Sequence, residues 1–318
     1  MIGQKVMKVV FDKLLSATVK EKTEKTILTI AIVSYLVHLL IIVLNTQGVF
    51  HLEEKFFKNP IAAIYTPFSF ILIYEVYLLI FFLSKSTTIY IGKQYEIITL
   101  IVIRRIFKDI TYVELTSDWF KDKNDLQFTF DVITSLILFY IIYLFYKKVN
   151  RPITTLRLKT ESSKVIQFVQ LKKIMSVLLV PVFIILAVYT LTSWLSVMLS
   201  DYQNGVLAFK KINAIFFDEF FTVLIIVDVL ILLFSFYYSD KFHKIIRNSG
   251  FVISTILLKI SFLSDGIINN LLIVGAVLFG YLILIVHNLY IEKDLSTIEE
   301  TVEDWLTLSE EIFKGAKY

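Results

Sequence analysis

Residues 27–47, ILTIAIVSYLVHLLIIVLNTQ, form a long stretch that contains no Asp, Glu, Lys or Arg. A helix rises 1.5 Å per residue, so a stretch of about 20 residues crosses a hydrocarbon core about 30 Å thick. Five further stretches are long and apolar enough to cross in the same way. The chain is therefore predicted to be an all-α polytopic membrane protein, and the five other clear spans are residues 61–83, 128–146, 174–200, 216–238 and 267–291.

The composition supports this fold class. The 318 residues are 57% hydrophobic and 19% charged, whereas soluble domains carry about 25% charged residues. The net charge of +4 arises from basic residues that are clustered along the chain, a pattern typical of cytoplasmic loops rather than of nucleic-acid binding. The chain has no cysteine, which excludes disulfide bonds and thiolate chemistry.

Two shorter segments, 95–107 and 250–262, are ambiguous because they carry Arg104, Arg105 and Lys259. Short cytoplasmic loops collect Lys and Arg, so loop charge can decide whether these segments cross. If both cross, 22 basic residues lie inside and 7 outside; if neither crosses, the counts are 18 and 14. Eight membrane helices are therefore predicted, with both termini cytoplasmic in a bacterial inner membrane. The alternative is that the two segments are re-entrant, since both are short for a span.

A shift of the sequence by 155 residues superposes these two segments. Ile98 then matches Ile253, Phe107 matches Phe262, and Arg104 falls on Lys259. Charged residues inside a membrane are rare, so their coincidence carries more weight than the apolar matches. The pattern predicts two parallel four-helix repeats, and the alternative is two unrelated groups of helices. The predicted repeats are residues 27–146 and 174–291, joined by a basic cytoplasmic linker, residues 147–173.

Four charged residues are predicted to lie deep in the bilayer, where a charge costs about 3 kcal/mol unless it has a partner. Each repeat places a carboxylate on its second helix and a cation on its third at a similar depth. This predicts two ion pairs, Glu75 with Arg104 and Asp228 with Lys259. The pairs either form an ion pathway or hold neighbouring helices together, and the sequence leaves both interpretations open. Arg105 has no counterpart and is expected to extend to the outer surface.

His38 lies in the middle of the first span. Histidine can relay protons near neutral pH, which makes His38 the candidate proton relay. The alternative is a buried neutral histidine that bonds a backbone carbonyl.

The two ends of the chain differ in charge. Residues 1–26 contain six lysines, and the segment 2–19 is expected to form an interfacial helix on anionic lipid. Residues 292–318 contain eight acidic residues and three lysines, with Ser296 and Glu299 placed as a capping box that opens a separate amphipathic helix. Such an acidic helix is expected to bind protein: the basic linker, the N-terminal segment, or another subunit in a homo-oligomer.

The sequence contains no catalytic or metal-binding motif. Its four histidines have no metal-ligand spacing, and no P-loop or nucleophile motif is present, so neither enzymatic activity nor a cofactor is expected. The intramembrane charges and the parallel duplication predict a transporter or ion channel for a small ionic solute. Protons and monovalent cations are the first candidates for that solute. The alternative is a membrane scaffold or sensor subunit that binds a partner through its cytoplasmic termini and transports nothing.

Overall fold

The described part of the protein is helical. The computed structural model describes residues 2–49, 57, 60–110, 123–149, 163–200, 205–238, 242–264 and 266–315. A short 3₁₀ helix, Ala62–Ile64, precedes α3. The α-helices in these ranges are α1 (Ile2–Leu15), α2 (Ala17–Thr46), α3 (Tyr65–Leu83), α4 (Thr87–Asp109), α5 (Lys123–Val149), α6 (Ser163–Ser200), α7 (Gly205–Tyr238), α8 (Phe242–Ser261) and α9 (Gly266–Gly315).

Six helices of the described part are long and apolar enough to cross a membrane. They are α2, α3, α5, α6, α7 and α9, and each contains or overlaps one of the six stretches that the sequence predicted as clear spans. The chain is thus a multi-pass membrane protein. Large apolar side chains such as Ile32 on α2, Leu136 on α5 and Ile185 on α6 are exposed, as expected for surfaces that contact lipid.

The two ambiguous segments belong to longer helices than their apolar stretches indicated. Helix α4 has 23 residues and α8 has 20, which is about 35 Å and 30 Å at 1.5 Å per residue. Neither helix is among the six in the described part that are long and apolar enough to cross a membrane, so their crossing stays a prediction. Their polar first turns continue the helices beyond the apolar residues, and both helices have extensively buried faces.

Helices that follow one another along the chain pack side by side. Helices α2, α3, α4 and α5 contact each other in chain order, and α6, α7, α8 and α9 do the same. The two groups meet where α5 packs against α9, where α3 packs against α6, and where α4 crosses α8. Helix α4 therefore lies between α3, α5 and α8, in the interior of the protein.

A close approach of α9 to α4 and α8 depends on Gly280. The phenol of Tyr95 occupies the space that a β-carbon at Gly280 would need. Its hydroxyl forms a 2.8 Å hydrogen bond with Ser254 Oγ, which donates to the carbonyl oxygen of Ala276 at 2.7 Å. Small residues at positions 276 and 280 thus allow three helix backbones to approach closely, as such residues do in membrane bundles.

The ends of the chain differ from the prediction in two respects. Helix α9 continues without a break from Gly266 to Gly315, so no new helix begins after Ser296. At the other end, α1 stops at Leu15 and Ser16 caps α2, which starts ten residues earlier than the predicted span. Helix α1 packs against α6 and α2 and buries Leu15, so part of its apolar face contacts protein instead of lipid.

Candidate functional site

Helix α4 carries the polar side chains that connect the interior of the protein. Side chains at successive helix positions project about 100° apart, so one buried helix can bond several neighbours at once. Arg104 contacts α3, Arg105 contacts α5 and α9, and Gln94 contacts α7 and α8. The candidate site is built around this helix.

Glu75 and Arg104 form a buried ion pair between α3 and α4. Arg104 donates from Nη2 to Oε2 of Glu75 at 2.8 Å, and both side chains are almost completely buried. The structure therefore brings together the two residues that the sequence paired in the first repeat.

Asp228 is held differently. Gln94 Nε2 donates to Asp228 Oδ2 at 3.1 Å, and Thr255 Oγ1 donates to the other end of the same amide, Gln94 Oε1, at 2.9 Å. Among the described residues, the ion pairs within 4.0 Å do not include Asp228 with Lys259. The second predicted pair is thus not formed.

The depth estimate explains this error. Helix α7 ends at Tyr238 and α8 begins at Phe242, so in this antiparallel pair Asp228 lies level with Val252. Both residues line the same cavity. Lys259 is seven residues farther along α8, about 10 Å away along the axis. A matched depth for Asp228 and Lys259 requires α8 to begin near residue 248, but it begins at Phe242, six residues earlier.

A small cavity adjoins Asp228. Its volume is about 20 Å³, which is room for one water molecule. Three of its lining residues are titratable: Asp228, Tyr90 and Lys172. The other lining residues are Thr87, Ile91, Ile231, Leu232, Asn248, Phe251 and Val252.

The cavity brings the carboxylate of Asp228 near the amino group of Lys172 without a direct ion pair between them. Lys172 is buried, donates from Nζ to the carbonyl oxygen of Lys85, and interacts electrostatically with Asp228. The hydroxyl of Tyr90 is buried and close enough to Asp228 and Gln94 to interact with both, although neither contact has ordinary hydrogen-bond geometry.

A third polar cluster lies at the C-terminal end of α4. Arg105 binds Asp131 through two hydrogen bonds, from Nε at 2.5 Å and from Nη2 at 2.8 Å. It also donates to Asn269 at 2.6 Å and to Asn270. Asp131 is completely buried and accepts further hydrogen bonds from Gln127 and Asn270. Arg105 thus binds a buried carboxylate, a partner that the sequence did not indicate, while its own side chain stays partly exposed.

His38 lies apart from these clusters. It is buried on α2, and its Nδ1 lies 2.6 Å from Oγ1 of Thr66 on α3. Its ring also packs against Phe57, with 5.5 Å between the ring centroids. One partner of His38 is therefore a side-chain hydroxyl. His38 is not among the residues that line the Asp228 cavity.

Several residues of the site were missed by sequence reasoning. Lys172 was counted in the basic linker, yet it lies within α6 and is buried. Tyr90 and Gln94 are four residues apart on α4, which puts them on one helix face. That spacing could have indicated a polar face on α4, but neither residue carries a charge, so the charge pattern did not identify them. Asp131 was also missed as a site residue, although it is an acidic residue inside the predicted span 128–146.

Within the described ranges, no three His, Asp or Glu side chains are grouped in a way that could hold a metal ion. Comparison of the chain with protein-family models, with curated proteins and with solved structures finds no match.

Proposed function

We propose that this protein transports a small ion across the cell's inner membrane, and that Asp228 is the residue that binds it. The observation that carries the proposal is a buried carboxylate beside a cavity, at a point where α4, α6, α7 and α8 converge. Intramembrane carboxylates that face a water-filled space mark ion and proton pathways. A cavity for one water suits a proton or a monovalent cation and excludes a larger solute at this position.

The contrast with Glu75 supports the choice of Asp228. Glu75 is neutralised by an arginine at 2.8 Å, and such a pair fixes the packing of two helices. Asp228 receives an amide hydrogen bond and shares its cavity with Lys172 and Tyr90. A group that must bind and release an ion needs partners that it can exchange, so the Asp228 cavity fits the requirement.

The proposal includes eight spans arranged as two parallel four-helix units. The same neighbour order in α2–α5 and α6–α9 supports this arrangement. In both groups, the third helix presents a glycine to a bulky side chain of the fourth: Gly92 to Tyr146, and Gly250 to Ile283. Transport sites often lie where repeats meet, and Gln94 of the first group bonds Asp228 of the second.

Single cysteines test the orientation, because the chain has none of its own. A cysteine in 109–127 is expected to react with a membrane-impermeant maleimide added outside, and one in 147–173 only after the membrane is opened. The reverse pattern would exclude the eight-span arrangement with cytoplasmic termini.

Flux through purified protein in liposomes tests the function. An imposed membrane potential is expected to drive H⁺, K⁺ or Na⁺ across the liposome membrane. Cl⁻ is the anion control. Asp228→Asn is expected to abolish the flux. Ser235→Ala is the matched control, since Ser235 is buried on the same helix and bonds only its own backbone at Leu232. A folded wild-type protein that moves none of these ions would exclude the proposed transport.

The second candidate is a membrane scaffold or sensor subunit. It is favoured by the two clusters in which the charges are neutralised, Glu75–Arg104 and Arg105–Asp131, because such contacts stabilise a fold without transport. Under this hypothesis the cytoplasmic ends bind a protein partner or a second copy of the chain. A folded protein without flux would favour it.

A further inference from the structure

The groups around Asp228 are mainly hydrogen-bond donors. Asp228 Oδ2 accepts from the amide nitrogen of Gln94, and Thr255 fixes the orientation of that amide by donating to its oxygen. An ionised carboxylate only accepts hydrogen bonds, so the chain Thr255, Gln94, Asp228 has a single consistent direction. The other side chains with donor groups at the cavity are Lys172, Tyr90, Thr87 and Asn248.

A metal cation would find few ligands here. Na⁺ sites in transporters use backbone carbonyls of unwound helices, but α4, α7 and α8 are regular helices through the site and their carbonyls bond within each helix. The side-chain oxygen of Asn248 accepts two hydrogen bonds from Arg247, at 3.0 and 3.2 Å. Beyond the carboxylate, the lining side chains therefore offer a cation only the hydroxyl oxygens of Thr87 and Tyr90.

The charges lead to the same conclusion. Lys172 on α6 already supplies a positive charge to the cavity, and Arg247 on α8 lies directly behind Asn248. Tyr90 on α4 is the other titratable group that faces Asp228. A Na⁺ or K⁺ ion would be repelled by two resident cations and would displace the one water that fits. A proton requires no additional space and no additional ligand.

We infer that the ion exchanged at the Asp228 cavity is the proton, carried by the carboxylate, with Lys172 as the resident counter-cation. This inference rests on the proposed function and specifies its ion. A hydronium ion in the cavity transfers its proton to an oxygen of Asp228 and leaves one water; release is the reverse. The carboxylate loses its negative charge in this step, so the attraction between Asp228 and Lys172 is removed, which can alter how α6 and α7 pack.

Infrared difference spectroscopy of the purified protein tests this inference. Between acidic and alkaline samples, the wild type is expected to show a carbonyl band of a protonated carboxyl group that is absent from Asp228→Asn and unchanged in Ser235→Ala. Asp228→Glu keeps the acid and is expected to displace the band, which preserves the test if the Asn variant does not fold. Addition of NaCl or KCl at fixed pH is expected to leave the band unchanged. Choline chloride is the control salt, because it raises the ionic strength without adding a metal cation.

The outcomes separate the two proposals. A band that NaCl or KCl abolishes at fixed pH would show that a metal cation competes for the site and would overturn the inference. The absence of any Asp228-dependent band would overturn it as well. Flux that follows a Na⁺ or K⁺ gradient but not a proton gradient would reject the proton and retain transport. A titrating band in a folded protein without flux would instead reject transport.

Discussion

Glu75 and Asp228 occupy similar positions but have different surroundings. Each lies within the second helix of its predicted four-helix unit, and they are 3% and 4% exposed. Glu75 faces the guanidinium of Arg104, while Asp228 faces the amide of Gln94 and a cavity. Two acids that look equivalent in the sequence are therefore neutralised in two different ways.

This difference shows that the partner determines what a buried acid does. A buried carboxylate with an arginine at hydrogen-bond distance is hard to change, because removal of one partner leaves the other charge unpaired in a medium of low dielectric constant. Asp228 has a neutral amide at hydrogen-bond distance and Lys172 farther away, so protonation of this carboxylate would break no direct ion pair. The first arrangement fixes structure, and the second permits exchange.

Helix α4 contains both arrangements. Its C-terminal end carries Arg104 and Arg105, which bind Glu75 and Asp131 and tie α4 to α3, α5 and α9. Its N-terminal half carries Gln94, which donates to Asp228, and Tyr90, which lines the cavity. One end of α4 is therefore expected to be rigid and the other end adaptable, and the following predictions test that contrast.

The largest effect on stability is expected at Asp131. Replacement by alanine removes the acceptor of four hydrogen bonds, two from Arg105 and one each from Gln127 and Asn270. Loss of one partner of a buried ion pair costs about 4 kcal/mol. Unfolding in mixed micelles with increasing SDS measures the free energy of unfolding.

Ile133→Ala is the control, because Ile133 lies on the same helix but is exposed. Its replacement is expected to change the free energy of unfolding by less than about 1 kcal/mol. Equal effects of the two substitutions would show that the Arg105–Asp131 cluster contributes no special stability.

A smaller effect is expected from the Glu75–Arg104 pair. Glu75→Gln and Arg104→Gln should each cost about 3 kcal/mol, because each leaves a buried charge without its partner. The double variant removes both charges and should be less damaging than the sum by about 1–2 kcal/mol. The same SDS titration measures all four proteins of the cycle, and additive losses would mean that the two side chains are not energetically coupled.

The fold could be predicted from the sequence where hydrophobicity alone determines the structure. Six apolar stretches were identified because each contacts lipid or the core over a whole bilayer thickness. Helices α4 and α8 could not be delimited in this way. Their polar side chains lower the hydropathy and are satisfied by partners on other helices, such as Asp228 for Gln94, and a local pattern does not reveal those partners.

The clusters show the same division. The pairing of Glu75 with Arg104 could be predicted because both charges are costly at matched depth. The partner of Asp228 was missed because Gln94 carries no charge and because α8 begins earlier than its apolar residues indicate. Lys172 was assigned to a loop, since lysines near a span are usually cytoplasmic, and only its burial identifies it as part of the cavity.

The smallest effect on stability is expected at Asp228, and it provides the sharpest test of the contrast. Asn has nearly the same shape as Asp and keeps an oxygen to accept from Gln94. Lys172 loses an electrostatic partner but no direct ion pair, and it keeps its hydrogen bond to the carbonyl oxygen of Lys85. We therefore expect Asp228→Asn to alter the free energy of unfolding by less than about 1 kcal/mol, well below the loss in Glu75→Gln. The SDS titration measures both variants in parallel with flux in liposomes. If Asp228→Asn destabilises the protein as much as Glu75→Gln does, Asp228 is a structural residue and the contrast between the two acids fails. If the variant is stable but inactive, the residue is retained for what it binds, because its contribution to folding is too small to explain a charge in the interior of a membrane protein.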